Sequence, residues 1–349
     1  MPLSPRVKIL VCYHKVSPII ANEILQPILV GATQADQTIR ESLEFACAKQ
    51  GIKLARDDDI SGGGAYSYSL KKEISLLNPY FCELTAMYWA WKNLDADYYG
   101  LFHYRRVFDF TSNTFFAKLK SAFTPQSRTI AKYHLDSASI TSYLQDSSID
   151  IIIPKALSLR PDINAYENFA CGGHNIKDLD KAIAYIKETY PFMTDSITQT
   201  LFTNGAKICY WNMAIWRKEV FFAYCEWIFD VLFALQEQID YTSYNAHEAR
   251  VFGFLGEWLF NVWLHYQLKM RKLNVREVKS KLLYSRQSKF FGKVSSNDCE
   301  RYYFLFLRIY KKPISPPPPP TSALKSLIRS KYEYKNFSVL SQSKPHYCK

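Results

Sequence analysis

The chain has 349 residues, 48% of them apolar and 22% charged, with eight cysteines and a net charge of +12. The apolar fraction is ample for a packed core and excludes disorder of the whole, and no window approaches the ~18 consecutive apolar residues of a membrane span. The cysteines show no CxxC or CxxH spacing, so they suggest neither a zinc site nor a disulfide framework, and the chain reads as cytosolic and reduced.

Val7 to Tyr13 (VKILVCY) is a continuous apolar run with β-branched residues, the pattern of a buried strand in an α/β sheet. The run is too short for the apolar region of a signal peptide. His14 and Lys15 follow it; His14 is placed either to meet a nucleotide or to cap the turn. Ile28 to Ala32 (ILVGA) suits a second strand, where Gly31 would let the backbone approach a ligand closely. Asp57, Asp58, Asp59, Ile60 and Ser61, then three glycines, form the most polar stretch of the first hundred residues. Three consecutive carboxylates offer oxygen ligands to a divalent cation such as Mn or Mg, or simply make a solvated acidic turn.

The stretch from Asn78 to Arg106 organises the rest. Leu84, Met87, Tyr88, Trp91 and Leu94 recur at helical spacing, with Glu83 in the opening turn. Tyr98 to Phe102 is then a strand that ends in His103, Tyr104, Arg105 and Arg106. In open α/β sheets ligands collect at the carboxyl ends of strands, so these side chains point to a binding site. Short helices are expected over 115–123 and 136–144, a strand over 149–154, and a helix over 176–190 capped by Asn175 or Asp178. His174 precedes that helix after two glycines, with a structural and a chemical role both open. Tyr210 to Trp216 reads as a strand in which Asn212 must find partners, either backbone groups or sugar hydroxyls. Val220 to Leu235 is a core helix. Arg250, Gly253, Glu257, Phe260 and Asn261 share one helical region. Glu257 among apolar neighbours is either a carboxylate raised toward proton transfer or half of an ion pair with Arg250.

From Arg271 onward, 18 Lys and Arg face only Glu277, Asp298, Glu300 and Glu333. A near-neutral body with a basic tail is not the charge pattern of a uniformly basic nucleic-acid binder; it suggests a tail that meets phosphates, of lipid or of RNA, and no nucleic-acid partner is expected. The expected division is a domain over 1–270, a basic aromatic helical extension over 271–312, and a polyproline spacer with a basic tail over 313–349. Such a tail suits an anionic membrane surface. The rival reading makes the tail itself a nucleic-acid or anionic-lipid binding module, with the body as scaffold.

The words CELTAMYWAWKN and YYGLFHYRR resemble the signature of a bacterial family of capsule and O-antigen glycosyltransferases, long catalogued only as a domain of unknown function. KILVCYHK, ILVGA, DDDIS, WNMAIWRKE and ARVFGFLGEWLF extend the resemblance over about residues 6–270. It implies an α/β, GT-A-like nucleotide-sugar fold, a UDP-sugar donor, and a saccharide or lipid-linked saccharide acceptor at the inner face of the membrane. It also implies donor contacts from His14, Lys15, Gly31, Asp59, Ser61, Asn78, Glu83, His103, Tyr104, Arg105 and Arg106, and acceptor contacts from Asn212 and Arg250. Glu257 is then the first candidate base and His174 the second. Many GT-A enzymes carry a metal-chelating Asp-x-Asp where this chain has His103, Tyr104 and Arg105. Two arginines can neutralise a diphosphate directly, so metal dependence is doubted.

Overall fold

The computed structural model describes residues 5–60, 73–111, 126–145, 148–283, 291–296, 299–304 and 307–313. The chain divides into two units, 1–283 and 284–349. Ser61, the glycines after it, the helix expected over 115–123 and the polyproline tail lie outside the described residues.

The first unit alternates strands and helices. In chain order they are β1 (Val7–Tyr13), β2 (Leu25–Leu29), α1 (Gln37–Ala48), β3 (Ala55–Arg56), α2 (Asn78–Phe81), α3 (Leu84–Asn93), β4 (Tyr98–His103) and β5 (Arg106–Phe108). There follow α4 (Gln126–Tyr133), α5 (Ser137–Gln145), β6 (Ile151–Pro154), β7 (Leu157–Ser158), α6 (Ala165–Cys171), α7 (Ile176–Thr189) and α8 (Thr194–Leu201). The unit ends with β8 (Lys207–Ile208), β9 (Ala214–Arg217), α9 (Lys218–Gln236), α10 (Val251–Met270), β10 (Val275–Val278) and β11 (Ser280–Leu282). The main sheet runs β10-β6-β9-β4-β1-β2-β3, with β5 pairing β4 and β11. β3, β2, β1 and β4 are mutually parallel, whereas β9 is antiparallel to both β4 and β6. The reversal matters for the site: β9 begins at the rim where β1, β2 and β4 end.

Alternation along the strands fills both faces of the sheet. Leu10, Tyr99, Leu101, Ile153 and Trp216 face one core with α3, α9 and α10, whereas Ile9, Val11, Phe102, Ile152 and Ile215 face the other. Aromatic side chains cement the first core: Tyr99 stacks on Phe221 at 4.5 Å and Phe81 on Phe252 at 4.6 Å. Among the described residues, no helix is long and apolar enough to cross a membrane.

Two expectations change. The end of the first domain does not fall at 270, because β10 pairs in parallel with β6 and β11 with β5, returning residues 275–282 to the main sheet. The extension is not helical where it is described. Phe291–Ser296, Cys299–Phe304 and Leu307–Pro313 (β12 to β14) form an antiparallel sheet, in keeping with the strand preference of a run rich in aromatic residues.

Candidate active site

A cleft of about 590 Å³ opens at the rim defined by the ends of β1, β2 and β4. Ten of the residues singled out in the sequence line it: His14, Lys15, Asn78, Glu83, His103, Tyr104, Arg105, Arg106, Arg250 and Glu257. They are separated by most of the domain in sequence and are assembled by the sheet order.

The basic end of β4 is a tight hairpin. His103 pairs with Arg106 across a two-residue turn, so Tyr104 and Arg105 form its tip and Arg106 opens β5. The tip is exposed at Arg105, while Arg106 is half-buried with its guanidinium 4.4 Å from the centre of the Trp211 ring. Burial, and then the neighbouring Arg105, pull the Arg106 pKa down, yet it remains a cation. Lys15 lies 5.4 Å from the Tyr104 ring, and His14 meets that ring edge-on. Partial burial, then Lys15, Arg105 and Arg250, hold His14 below its ordinary pKa. One wall of the cleft is therefore cationic, with a neutral imidazole at its mouth.

The opposite wall comes from α10, through a stripe at four-residue spacing. The Gly253 carbonyl accepts from Asn212 Nδ2 at 3.0 Å, Glu257 accepts the Trp211 N–H at 2.9 Å, and Asn261 bonds both backbone groups of Cys209 at 2.8 and 3.0 Å. The stripe seizes the segment that leads into β9. Trp211 and Asn212 there have φ of +81° and +48°, a left-handed conformation that non-glycine residues adopt at a cost of about 1–3 kcal/mol each. His103 Nε2 donates to the Trp211 carbonyl at 2.6 Å, and Glu83 accepts from Asn212 Nδ2 at 2.8 Å. Burial, and next the negative charge of Glu83, push the Glu257 carboxyl up to about 7, against the Trp211 N–H and the charges of Arg106 and Arg250. A proton acceptor poised near neutrality thus faces a cationic wall.

Several expected roles are redistributed. Asn212 is buried in the left-handed turn before β9, not inside a strand, because β9 begins only at Ala214. Glu257 takes a backbone N–H rather than an ion pair with Arg250, whose Nε instead donates to Cys82 Sγ at 3.3 Å. Gly253 and Gly256 allow close packing of α10 on its neighbours: a Cβ would stand 2.9 Å from Cys82 Sγ or 2.9 Å from Leu84 Cδ1. Gly31 is likewise required by φ +66° and by Asn78 Oδ1, which a Cβ would meet at 2.8 Å. His174 lies away from the cleft lining, its ring 3.9 Å from Phe254 and 5.2 Å from His247. Burial, then His247 and Arg250, lower it to about 4.

The aspartates 57–59 do not converge. Asp57 is fully buried and accepts four hydrogen bonds: Gly31 N–H at 2.8 Å, Ala32 N–H at 2.9 Å, Ser75 Oγ at 2.6 Å and Thr85 Oγ1 at 2.6 Å. Asp58 is held bidentately by Arg56 at 2.9 and 2.7 Å. Asp59 accepts the Trp89 indole N–H through its main-chain carbonyl at 2.6 Å. Among the described residues, no three His, Cys, Asp or Glu side chains are grouped to hold a metal ion. The metal alternative at 57–59 therefore does not fit this arrangement, and Asp57 instead ties the end of β2 to the start of α3.

The model of a family described as a domain of unknown function, DUF4422, matches residues 8–268. The chain belongs to the DUF4422 family. Among curated proteins none matches it significantly. Among solved structures the DUF4422 chain is similar to the apo structure of WbbM, a bifunctional glycosyltransferase, at 28% identity and a TM-score of 0.67. That match covers 84% of this chain but 47% of the other, so the DUF4422 chain spans about half the length of the protein it resembles. The helix-flanked, largely parallel sheet is the GT-A-like architecture expected from the sequence.

Cys12, Val30, Pro79, Cys82 and Trp211 also line the cleft of the DUF4422 chain and were not singled out beforehand. Trp211 is the most consequential. Its peptide links Glu257 to His103, but an aromatic residue gives no sign in sequence that it will adopt a left-handed backbone. Cys82 is similar, with φ +51° between α2 and α3. Burial, and then Glu83, push its thiol up to about 12, so it sits in the cleft as an inert, protonated group.

Proposed function

We propose that this protein is a glycosyltransferase that uses a UDP-sugar donor and transfers its hexosyl group to a saccharide or lipid-linked saccharide in bacterial surface polysaccharide synthesis. One observation carries the reading: a cationic wall of Lys15, Arg105 and Arg106 faces Glu257 across a single cleft at the strand ends. Family membership and the likeness to a bifunctional glycosyltransferase support it. Arg106 and Arg105 take the donor diphosphate through charge-assisted hydrogen bonds and stabilise the charge that grows on it as the glycosidic bond breaks. His14 and Asn78 lie at the nucleoside end. Glu257 accepts the proton of the acceptor hydroxyl as that oxygen attacks the anomeric carbon. Arg250, beside Glu257, meets the acceptor, and the tail beyond Pro313 brings the protein to an anionic membrane at the cytoplasmic face.

Calorimetric titration with UDP, followed by turnover of a panel of UDP-sugars, tests the reading. UDP binding that weakens as Arg106 is replaced supports it, whereas no UDP binding at any pH from 6 to 8 overturns it. Turnover in the presence of a chelator is expected to persist, since the arginines stand where a chelated metal would otherwise neutralise the diphosphate. Complete loss that manganese restores would show a metal-bound donor instead.

A further inference from the structure

Glu83 and Glu257 come from different parts of the chain, yet both hold the same dipeptide. Glu257 accepts the Trp211 N–H at 2.9 Å, and Glu83 accepts from the Asn212 amide at 2.8 Å. The same amide also donates to the Gly253 carbonyl, one turn before Glu257 on α10. His103 closes the set by donating to the Trp211 carbonyl, with its Nε2 also 4.0 Å from Glu83 Oε1. Left-handed φ values at two successive non-glycine residues persist only where surrounding contacts over-determine them. Here the contacts are these two carboxylates, one imidazole and one carbonyl.

We propose that Glu83 is a positioning residue for Glu257, acting through the Trp211–Asn212 dipeptide that both carboxylates hold. Glu83 is not needed to touch the donor for this task. It anchors Asn212, Asn212 fixes the peptide that follows Trp211, and the Trp211 N–H fixes the carboxylate that faces the cleft. It also places a second negative charge near Glu257 in a poorly hydrated site, which disfavours ionisation of Glu257. The charged and titratable groups that face Glu257 are Glu83 and Cys82 before α3, His103 on β4, Arg106 on β5, Tyr210 before β9 and Arg250 at the start of α10. Only Glu83 among them both raises the proton affinity of Glu257 and shares its hydrogen-bonded dipeptide. The inference deepens the proposed transferase mechanism and rests on it for its functional meaning, but the coupling of the two carboxylates is measurable without turnover.

The test is carbon-13 NMR of the full chain labelled at the glutamate carboxyl carbon, titrated from pH 4 to 9 without ligand, with E257Q identifying the Glu257 signal. In E83Q the glutamine carbonyl can still accept from Asn212 while the charge is gone. The Glu257 midpoint is expected to fall by about one pH unit, the scale set by a neighbouring like charge. An unmoved midpoint overturns the proposal. In E83A, where the anchor itself is lost, kcat for the UDP-sugar found active should fall about tenfold or more with KM for that donor nearly constant. A rise in KM at constant kcat would make Glu83 a donor ligand and also overturn it. If the midpoint moves but E257Q retains full turnover, the coupling stands and the assignment of Glu257 as base fails.

Discussion

Asp57 and Glu257 are both buried or nearly so, and both sit at the rim where the parallel strands end, but their surroundings differ. Asp57 receives two backbone N–H groups and two hydroxyls, so each of its oxygens is bonded twice. Glu257 receives one backbone N–H, looks into the cleft and shares its pocket with Glu83. A carboxylate surrounded by donors is a structural clasp, since the charge is already matched. A carboxylate with one donor and a like-charged neighbour still has an oxygen and a proton affinity to offer. The number of donors, rather than burial, separates the brace from the reactive group.

That contrast can be broken from either side. E257Q should show the largest effect: transfer should fall about 10²–10⁴-fold, the usual scale for loss of a general base, with UDP affinity little changed. Loss of UDP binding in step with activity would place Glu257 among the donor ligands. Asp57→Ala should act on folding first. It leaves two N–H groups and two hydroxyls to find new partners, and about 4 kcal/mol of stability should be lost in urea denaturation. A variant as stable as the parent would mean that water replaces the clasp.

On the cationic wall the comparison is between neighbours. Arg106 is half-buried against Trp211 and should contribute about 1.5–3 kcal/mol to UDP binding. Arg105 at the exposed tip should contribute less than about 1 kcal/mol. Calorimetry on the two alanine variants decides it, and equal losses would show that solvent exposure does not weaken the Arg105 contact.

The last comparison concerns pH. The Glu257 carboxyl stands at about 7 in the folded protein against 4.5 ordinarily, so the folded state binds the extra proton between those values. The associated stability is present below pH 4.5 and fades as pH rises through 7, by on the order of 3 kcal/mol. Activity that needs the ionised base rises over the same interval. Melting curves from pH 5 to 8 should therefore slope down more steeply for the parent than for E257Q. Parallel slopes would assign the titration elsewhere.

Much of the frame was legible from period and composition. The run over 7–13, the helix after Glu83 and the strand that follows it appear as β1, α3 and β4, because each pattern is local and strongly periodic. The cluster at the end of β4 lines the cleft. What escaped was decided by distant partners. Asp57 became a clasp only through Gly31, Ser75 and Thr85, and no local pattern marks that convergence. The run over 210–216 looked like one strand because its residues favour strands, but the Asn261 and Glu257 bonds bend its first half into the turn that carries Trp211. Likewise the charge of 275–282 groups it with the basic tail, whereas pairing with β6 and β5 decides where it belongs.

The order in which the cleft is written along the chain has a consequence for synthesis. Domains begin to fold from the N-terminal side as they emerge, and the strand ends bearing His14, Lys15, Arg105 and Arg106 are made long before α10. Glu257 arrives almost last, and β10, which closes the far edge of the sheet on β6, follows even α10. Contacts between such distant segments form late because the loops they close are long. A nascent chain therefore displays these cations well before it owns Glu257, and on the proposed mechanism transfer waits for completion of the fold. On the proposed mechanism, interrupted or clipped products that end before α10 would bind the donor diphosphate at most and transfer nothing.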